Sequence, residues 1–353
     1  MVRTGLPAGG DAGIPPAAHQ GHHPVVAPLA PNETVVGARA SEALASLRAD
    51  TAVLTSAHPD HVFRTATERL ARWQAAGLDT GVFHAGFYMA WNRYAELGLS
   101  QMLPLHRVLV GAESSRPGAF GGFHHPDQGY RHLQMVALVT MHGPLGSDVP
   151  ERANLALLDL LRAYAHDCLH YGSRRRYVYV DGRLVRTQYG INFRRASGRT
   201  YSAADPKGAP HTRNLGVVME GACDREARRI AREAAARVGV GEPEDATERL
   251  AFRDVTGTLA GEEATASADA STDEVTRYTG ALWRYEAGVN RRYASFLDEF
   301  APGEQEDLHT LVLRSVISGA TGALSGWLDD RHGPGTFAGL FRTPEYFDPG
   351  VPV

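Results

Sequence analysis

Ala165-His166-Asp167-Cys168-Leu169-His170-Tyr171 is the stretch on which the reading of this 353-residue chain turns. It closes an apolar segment in which Leu158, Leu161, Ala165 and Leu169 recur every three or four positions, the period of a helix with one buried face. On such a helix His166 and His170 lie one turn apart on the same side, so both imidazoles can reach one ion. Asp167 follows the first of them, where a carboxylate can take a proton from water that the ion has activated. An H-x-x-x-H pair also recurs by chance on helices that hold no metal. The pair alone therefore decides nothing, and the rest of the chain has to supply a site.

A catalytic zinc takes three protein ligands and keeps a fourth position open. The candidate third ligand is Glu220, in Leu215-Gly216-Val217-Val218-Met219-Glu220-Gly221-Ala222-Cys223-Asp224, fifty residues after His170. Asn214 reads as the N-cap of this second helix, which is expected to run to about Val238. One turn beyond Glu220, Asp224 can accept a hydrogen bond from the far nitrogen of a ligand histidine and set its tautomer. Gly221 would let the two helices approach closely. Cys168 and Cys223 flank these residues, but two thiols make no disulfide framework. Spacing also favours the His and Glu side chains over sulfur as ligands.

Working outward, Gly172 is a natural stop for the first helix, and Asp148 or Pro150 its start. Asp181-Gly182, between Tyr177–Val180 and Leu184–Thr187, predicts a β-hairpin. Upstream, the run Leu133–Met141 reads as a strand: either an edge that binds an extended peptide, or simply a core strand. The pattern from Ala40 to about Leu97 is helical, broken at Pro59 and Gly77. The expected organisation is a disordered tail over 1–35, with stray histidines at 19, 22 and 23, and a catalytic domain over 36–240. An acidic mobile linker over 241–272 and a helical, aromatic lobe over 273–353 complete it. The lobe's Trp283, Tyr285, Tyr293, Phe296 and Trp327 read as core. The net charge of −4 offers no electrostatic argument for nucleic acid or an anionic membrane as partner. With neither a signal-like leader nor a spanning apolar segment read in it, a cytoplasmic location is expected.

HDxxH on a helix, then a hairpin, then an EGxxD helix resembles the gluzincin metallopeptidases, whose pattern is HExxH with a downstream Glu ligand. Tyr189-Gly190-Ile191 and Met219-Glu220-Gly221 also resemble a loose set of bacterial zincin-like proteins. The likeness covers about residues 134–238. It implies an α+β zincin-like core, a small mixed sheet on the active-site helix with mostly helical parts before and after. It further implies Zn2+ on His166, His170 and Glu220, Asp167 as general base, and Asp224 behind a ligand. The implied substrate is a peptide or a small-molecule amide. Tyr171, Tyr189 and His211 are candidates to stabilise an oxyanion, or else packing tyrosines and a loop histidine. Where the family has Glu as base this chain has Asp167, one methylene shorter, which puts proton transfer at the limit of hydrogen-bond reach. Two alternatives stay open. One is an HD-type metal-dependent phosphohydrolase using His132, His166, Asp167 and Asp224; the other is an inactive zincin fold that only binds.

Overall fold

The chain is described here by a computed structural model, which covers residues 29–49, 64–112, 122–125, 130–134, 150, 152–197, 199–259, 279–280 and 282–342. It opens with strand β1 (Glu33–Val36) and helix α1 (Ala40–Ala49). Strand β2 (Arg64–Thr65) leads into α2 (Ala66–Ala75), started by a capping box in which Thr65 and Glu68 satisfy each other's backbone N–H. Gly77, at φ +89°, turns the chain towards α3 (Gly81–Glu96). Strands β3 (Val108–Ala112), β4 (Gly122–His125) and β5 (Tyr130–Gln134) precede α4 (Ala153–Gly172), the helix that carries HDxxH. After it come β6 (Arg175–Val180), β7 (Arg183–Tyr189) and β8 (Asn192–Phe193). Helices α5 (Leu215–Val238) and α6 (Ala246–Thr256) follow. A π-helical turn (Glu286–Asn290) then runs into α7 (Arg291–Phe300), and α8 (Gln305–Ser318), α9 (Gly322–His332) and α10 (Thr336–Phe341) end the described chain.

The class is mixed α+β and mostly helical. One sheet has the order β1-β6-β7-β8, with β1 and β6 parallel and the other pairs antiparallel; the second has the order β2-β3-β5-β4, with β3 and β5 parallel. The hairpin forms where the Asp-Gly pair predicts it. Asp181 and Gly182 both take positive φ, +50° and +75°, as a two-residue turn of that hand requires. Asn214 caps α5 by accepting from the N–H groups of Gly216 and Val217, and Gly239, at φ +75°, ends the helix.

Helix α4 is the axis of the core, packed against α3, α5, α6 and strand β4. It is buried on nearly every side rather than along one stripe: Leu157, Leu158, Leu160, Leu161 and Leu169 are all inaccessible to solvent. Two buried hydrogen bonds fix its rotation, Tyr94 Oη donating to the Ala165 carbonyl (2.9 Å) and Tyr164 Oη to the Leu103 carbonyl (2.7 Å). Glycine sets the approach of α3 to α4, because a Cβ on Gly86 would lie 2.1 Å from Leu161 Cδ2. Gly221 makes a different close contact from the expected one. Its missing Cβ leaves room for Tyr293 of α7, not for the HDxxH helix.

Two expected boundaries are corrected. The tail does not extend to residue 35. Thr34, Val35 and Val36 add a parallel strand to β6, and the buried Glu33 pairs with the buried Arg175 at 3.2 Å. Nor is the segment from 241 a linker throughout. Asp245 caps α6 and Gly257 ends it at φ +70°, while Leu250, Ala251 and Val255 are buried. Three well-spaced apolar residues suffice where a helix has both caps and a partner to lie on. The expected strand Leu133–Met141 is seen only at its start, as the end of β5; 135–141, the tail over 1–28 and the linker over 260–272 lie outside the described residues. Among the described residues no helix is long and apolar enough to cross a membrane.

Candidate metal centre

His166 and His170, one turn apart on α4, direct their Nε2 atoms to a common point, 2.9 Å from each other. Glu220 enters from α5 with Oε1 3.5 Å from His166 Nε2 and Oε2 3.0 Å from His170 Nε2. A tetrahedral site with bonds of about 2.0–2.1 Å has edges of roughly 3.3 Å; the two nitrogens stand somewhat closer than that, and each carboxylate oxygen lies near one of them. Among the described residues these three form a group whose ligand atoms all lie within 4.8 Å of one another. The histidine side chains are almost fully buried, whereas 26% of the Glu220 side chain is exposed. That exposure leaves a route to solvent on the carboxylate side.

Two of the three donors, His170 and Glu220, are in the protonation state that suits a cation. Burial pushes His170 below the ordinary imidazole value, against the pull of Glu220, so its ring is neutral at pH 7. Burial alone would raise the Glu220 carboxyl, but His166 and His170 beside it hold it well below the usual carboxylate range. Neutral nitrogens and an ionised oxygen are what a divalent metal takes.

Each residue of the group has a polar partner behind it. Tyr189, at the end of β7 where Gly190 (φ +55°) turns the chain into β8, places its hydroxyl 2.8 Å from His170 Nδ1. With Nε2 left as the ligand atom, Nδ1–H donates to the phenol oxygen, and burial, by pushing the phenol's own pKa well up, keeps it neutral. Asp224 lies 3.5 Å from His166 Nδ1, at the long limit of a contact. It is itself clamped between Arg162 Nη2 (2.7 Å) and Arg228 Nε (2.9 Å). Burial would raise its carboxyl, and those two guanidiniums hold it well below the ordinary value. Arg228 continues the network to Asp254 of α6 (2.6 Å) and to Glu286 (2.9 Å).

Of the other residues singled out by the sequence, Asp167 is buried beside His166, and its charge acts on His170 and on Cys223 across the helix pair. Tyr171 is buried and packs as a core residue, under the guanidinium of Arg175. His211 does not join the centre: it is half-exposed and faces Glu299 at 3.8 Å. It sits in the loop before the α5 cap and is not part of the group that Glu220 joins. The thiols stand outside the ligand group, and burial pushes Cys168 up to about 12, far from the thiolate that metals bind. His132 lies on β5, and nothing of its side chain is described.

Sequence reasoning missed Tyr285, which it assigned to the core. Its hydroxyl donates to Glu220 Oε1 at 2.8 Å. It also missed Arg162 and Arg228. For Arg162, an arginine in an apolar stretch is a signal, since such a charge stays buried only when paired, but the sequence does not say with which acid; Arg228 lies in a charged run and gives no such signal.

No protein-family model matches the chain, and no curated protein or solved structure is similar to it.

Proposed function

We propose that this chain is a zinc-dependent hydrolase with a zincin-like core, cutting a peptide or other amide bond at His166, His170 and Glu220. The observation that carries the reading is the convergence of two imidazoles and an ionised carboxylate from two separate helices, α4 and α5. A polar partner backs each ligand: Tyr189 for His170, Asp224 for His166 and Tyr285 for Glu220. A helix with the histidine pair, then a hairpin, then a second helix with the glutamate is the order on which the resemblance to the gluzincins rests.

A zinc ion held there would supply Lewis acidity, the property that makes water a nucleophile near neutral pH. Asp167, next in sequence to His166, is the residue to receive the water's proton and hand it to the leaving amine. Tyr189 is already committed to His170 Nδ1, so its part is to hold that ring rather than to meet the substrate. The phosphohydrolase alternative needs Asp224 as a ligand. Here Asp224 faces the opposite nitrogen of His166 and is neutralised by two arginines, and a β-hairpin follows His170 directly.

Elemental analysis of the purified chain tests the reading. One zinc per chain is expected, lost in His170→Ala. A zinc-free protein from zinc-supplemented cells would sink it.

A further inference from the structure

The two oxygens of Glu220 keep different company. Oε2 lies 3.0 Å from His170 Nε2, while Oε1 accepts the 2.8 Å hydrogen bond from Tyr285 and sits further, 3.5 Å, from His166 Nε2. A carboxylate left to itself can offer both oxygens to a cation, and that would use up the position a catalytic metal must keep open. A phenol O–H on one oxygen biases the group to present the other.

Tyr285 is built to do this without yielding. It immediately precedes the π-helical turn Glu286–Asn290, a local widening of the helix that is frequent at functional sites. The next residue, Glu286, is buried and anchored through Oε2 to Arg228 Nη1 (2.9 Å) and Asn290 Nδ2 (2.9 Å). The guanidinium of Arg162 lies 5.9 Å from the centre of the Tyr285 ring. Arg162 and Arg228 both grip Asp224, four residues after Glu220 on the same helix. The phenol and its carboxylate are thus tied into one ion network, and the oxygen that Tyr285 covers is set by the fold.

We infer that Tyr285 is a positioning residue that restricts Glu220 to one ligating oxygen, Oε2, and so keeps a coordination position free. The inference rests on the metal-binding reading above and goes beyond it by assigning what holds the site open.

Cobalt(II) in place of zinc reports the coordination number through its visible absorption, which is intense for four-coordinate sites and weak for five- or six-coordinate ones. The unmutated chain, loaded with one cobalt, is expected to show the intense spectrum. Tyr285→Phe, loaded to the same stoichiometry, is expected to lose that intensity as Oε1 becomes free to bind. Tyr189→Phe is the control: cobalt affinity falls roughly 10- to 100-fold while the intense spectrum of the loaded form remains. Identical spectra for the unmutated and Tyr285→Phe chains at equal cobalt content overturn the role of Tyr285 and leave the metal site standing. A weak, high-coordinate spectrum from the unmutated chain overturns it without any variant, which covers the case of a Tyr285→Phe protein that does not fold. No cobalt bound by the unmutated chain removes the metal reading and this inference together.

Discussion

At the scale of single residues, the proposed centre separates binding from chemistry. His166, His170 and Glu220 touch one another, whereas Asp167 is buried beside them and its charge acts on His170. The expected behaviour of Asp167→Ala is therefore full zinc content with amide hydrolysis abolished, checked by elemental analysis beside an assay on a panel of peptide amides. Loss of zinc in this variant would place Asp167 among the ligands and refute the division of labour. Tyr189→Phe removes only the hydroxyl 2.8 Å from His170 Nδ1. Zinc affinity, measured by competition with a chromogenic chelator, is expected to fall roughly 10- to 100-fold.

At the scale of elements, the site depends on how closely α5 meets its neighbours. A Cβ on Gly221 would lie 2.4 Å from Tyr293 Cβ and 2.7 Å from its Cγ. Tyr293 cannot step aside, because it is buried and its hydroxyl is 2.9 Å from His309 Nδ1. Gly221→Ala is thus expected to cost about 1–3 kcal/mol by overpacking, read from the urea midpoint. Since Gly221 adjoins Glu220, zinc affinity should fall with it; an unchanged midpoint would mean that α7 moves freely on α5. The capping residue Asn214 offers a milder test of the same helix. Asn214→Ala removes the acceptor for Gly216 and Val217 N–H, with an expected loss of about 1 kcal/mol.

At the scale of the whole molecule, a second buried polar network ties α5 to the C-terminal helices and to α3. Glu226, inaccessible to solvent, accepts from Arg93 Nε (2.9 Å), from His309 Nε2 (3.1 Å) and from Arg229. His309 Nδ1 in turn accepts from Tyr293, so the imidazole is neutral, as its burial-lowered pKa requires. Burial alone would raise the Glu226 carboxyl, but His309 and Arg229 hold it far below the ordinary range. Both shifts act in the same direction on stability. Below about pH 6.5 the unfolded chain's imidazole takes up a proton that folded His309 resists, and below about pH 4.3 the unfolded glutamate does the same. Acidification from neutral pH should therefore destabilise the fold in two overlapping stages. Glu226→Gln leaves the arginines and His309 short of their counter-charge, with an expected loss of about 3–5 kcal/mol at pH 7 and a shallower acid limb. Urea unfolding of both proteins at pH 7, and again at pH 5 and pH 3.5 across the glutamate stage, checks this, and equal loss between pH 5 and pH 3.5 would contradict it.

What could be read without coordinates is what depends on neighbours in the chain. The i, i+4 spacing that puts His166 and His170 on one face is a property of helical geometry, and Asn214 announces its helix through its own side chain. Asp181-Gly182 specifies its hairpin because few other pairs accept two positive φ angles. That Glu220 lies near these histidines was expected from the resemblance of its stretch to the gluzincins. Tertiary packing alone decided the rest. Tyr285 reaches Glu220 across 65 residues, and Arg162 reaches Asp224 across 62. Helix α6 lies within a stretch too polar to announce itself, and β1 is ordered by the Arg175 that receives Glu33. The physical reason is common to all of these. Which distant side chain completes a ligand or a buried charge depends on the rotation and separation of packed helices, and no local periodicity encodes either.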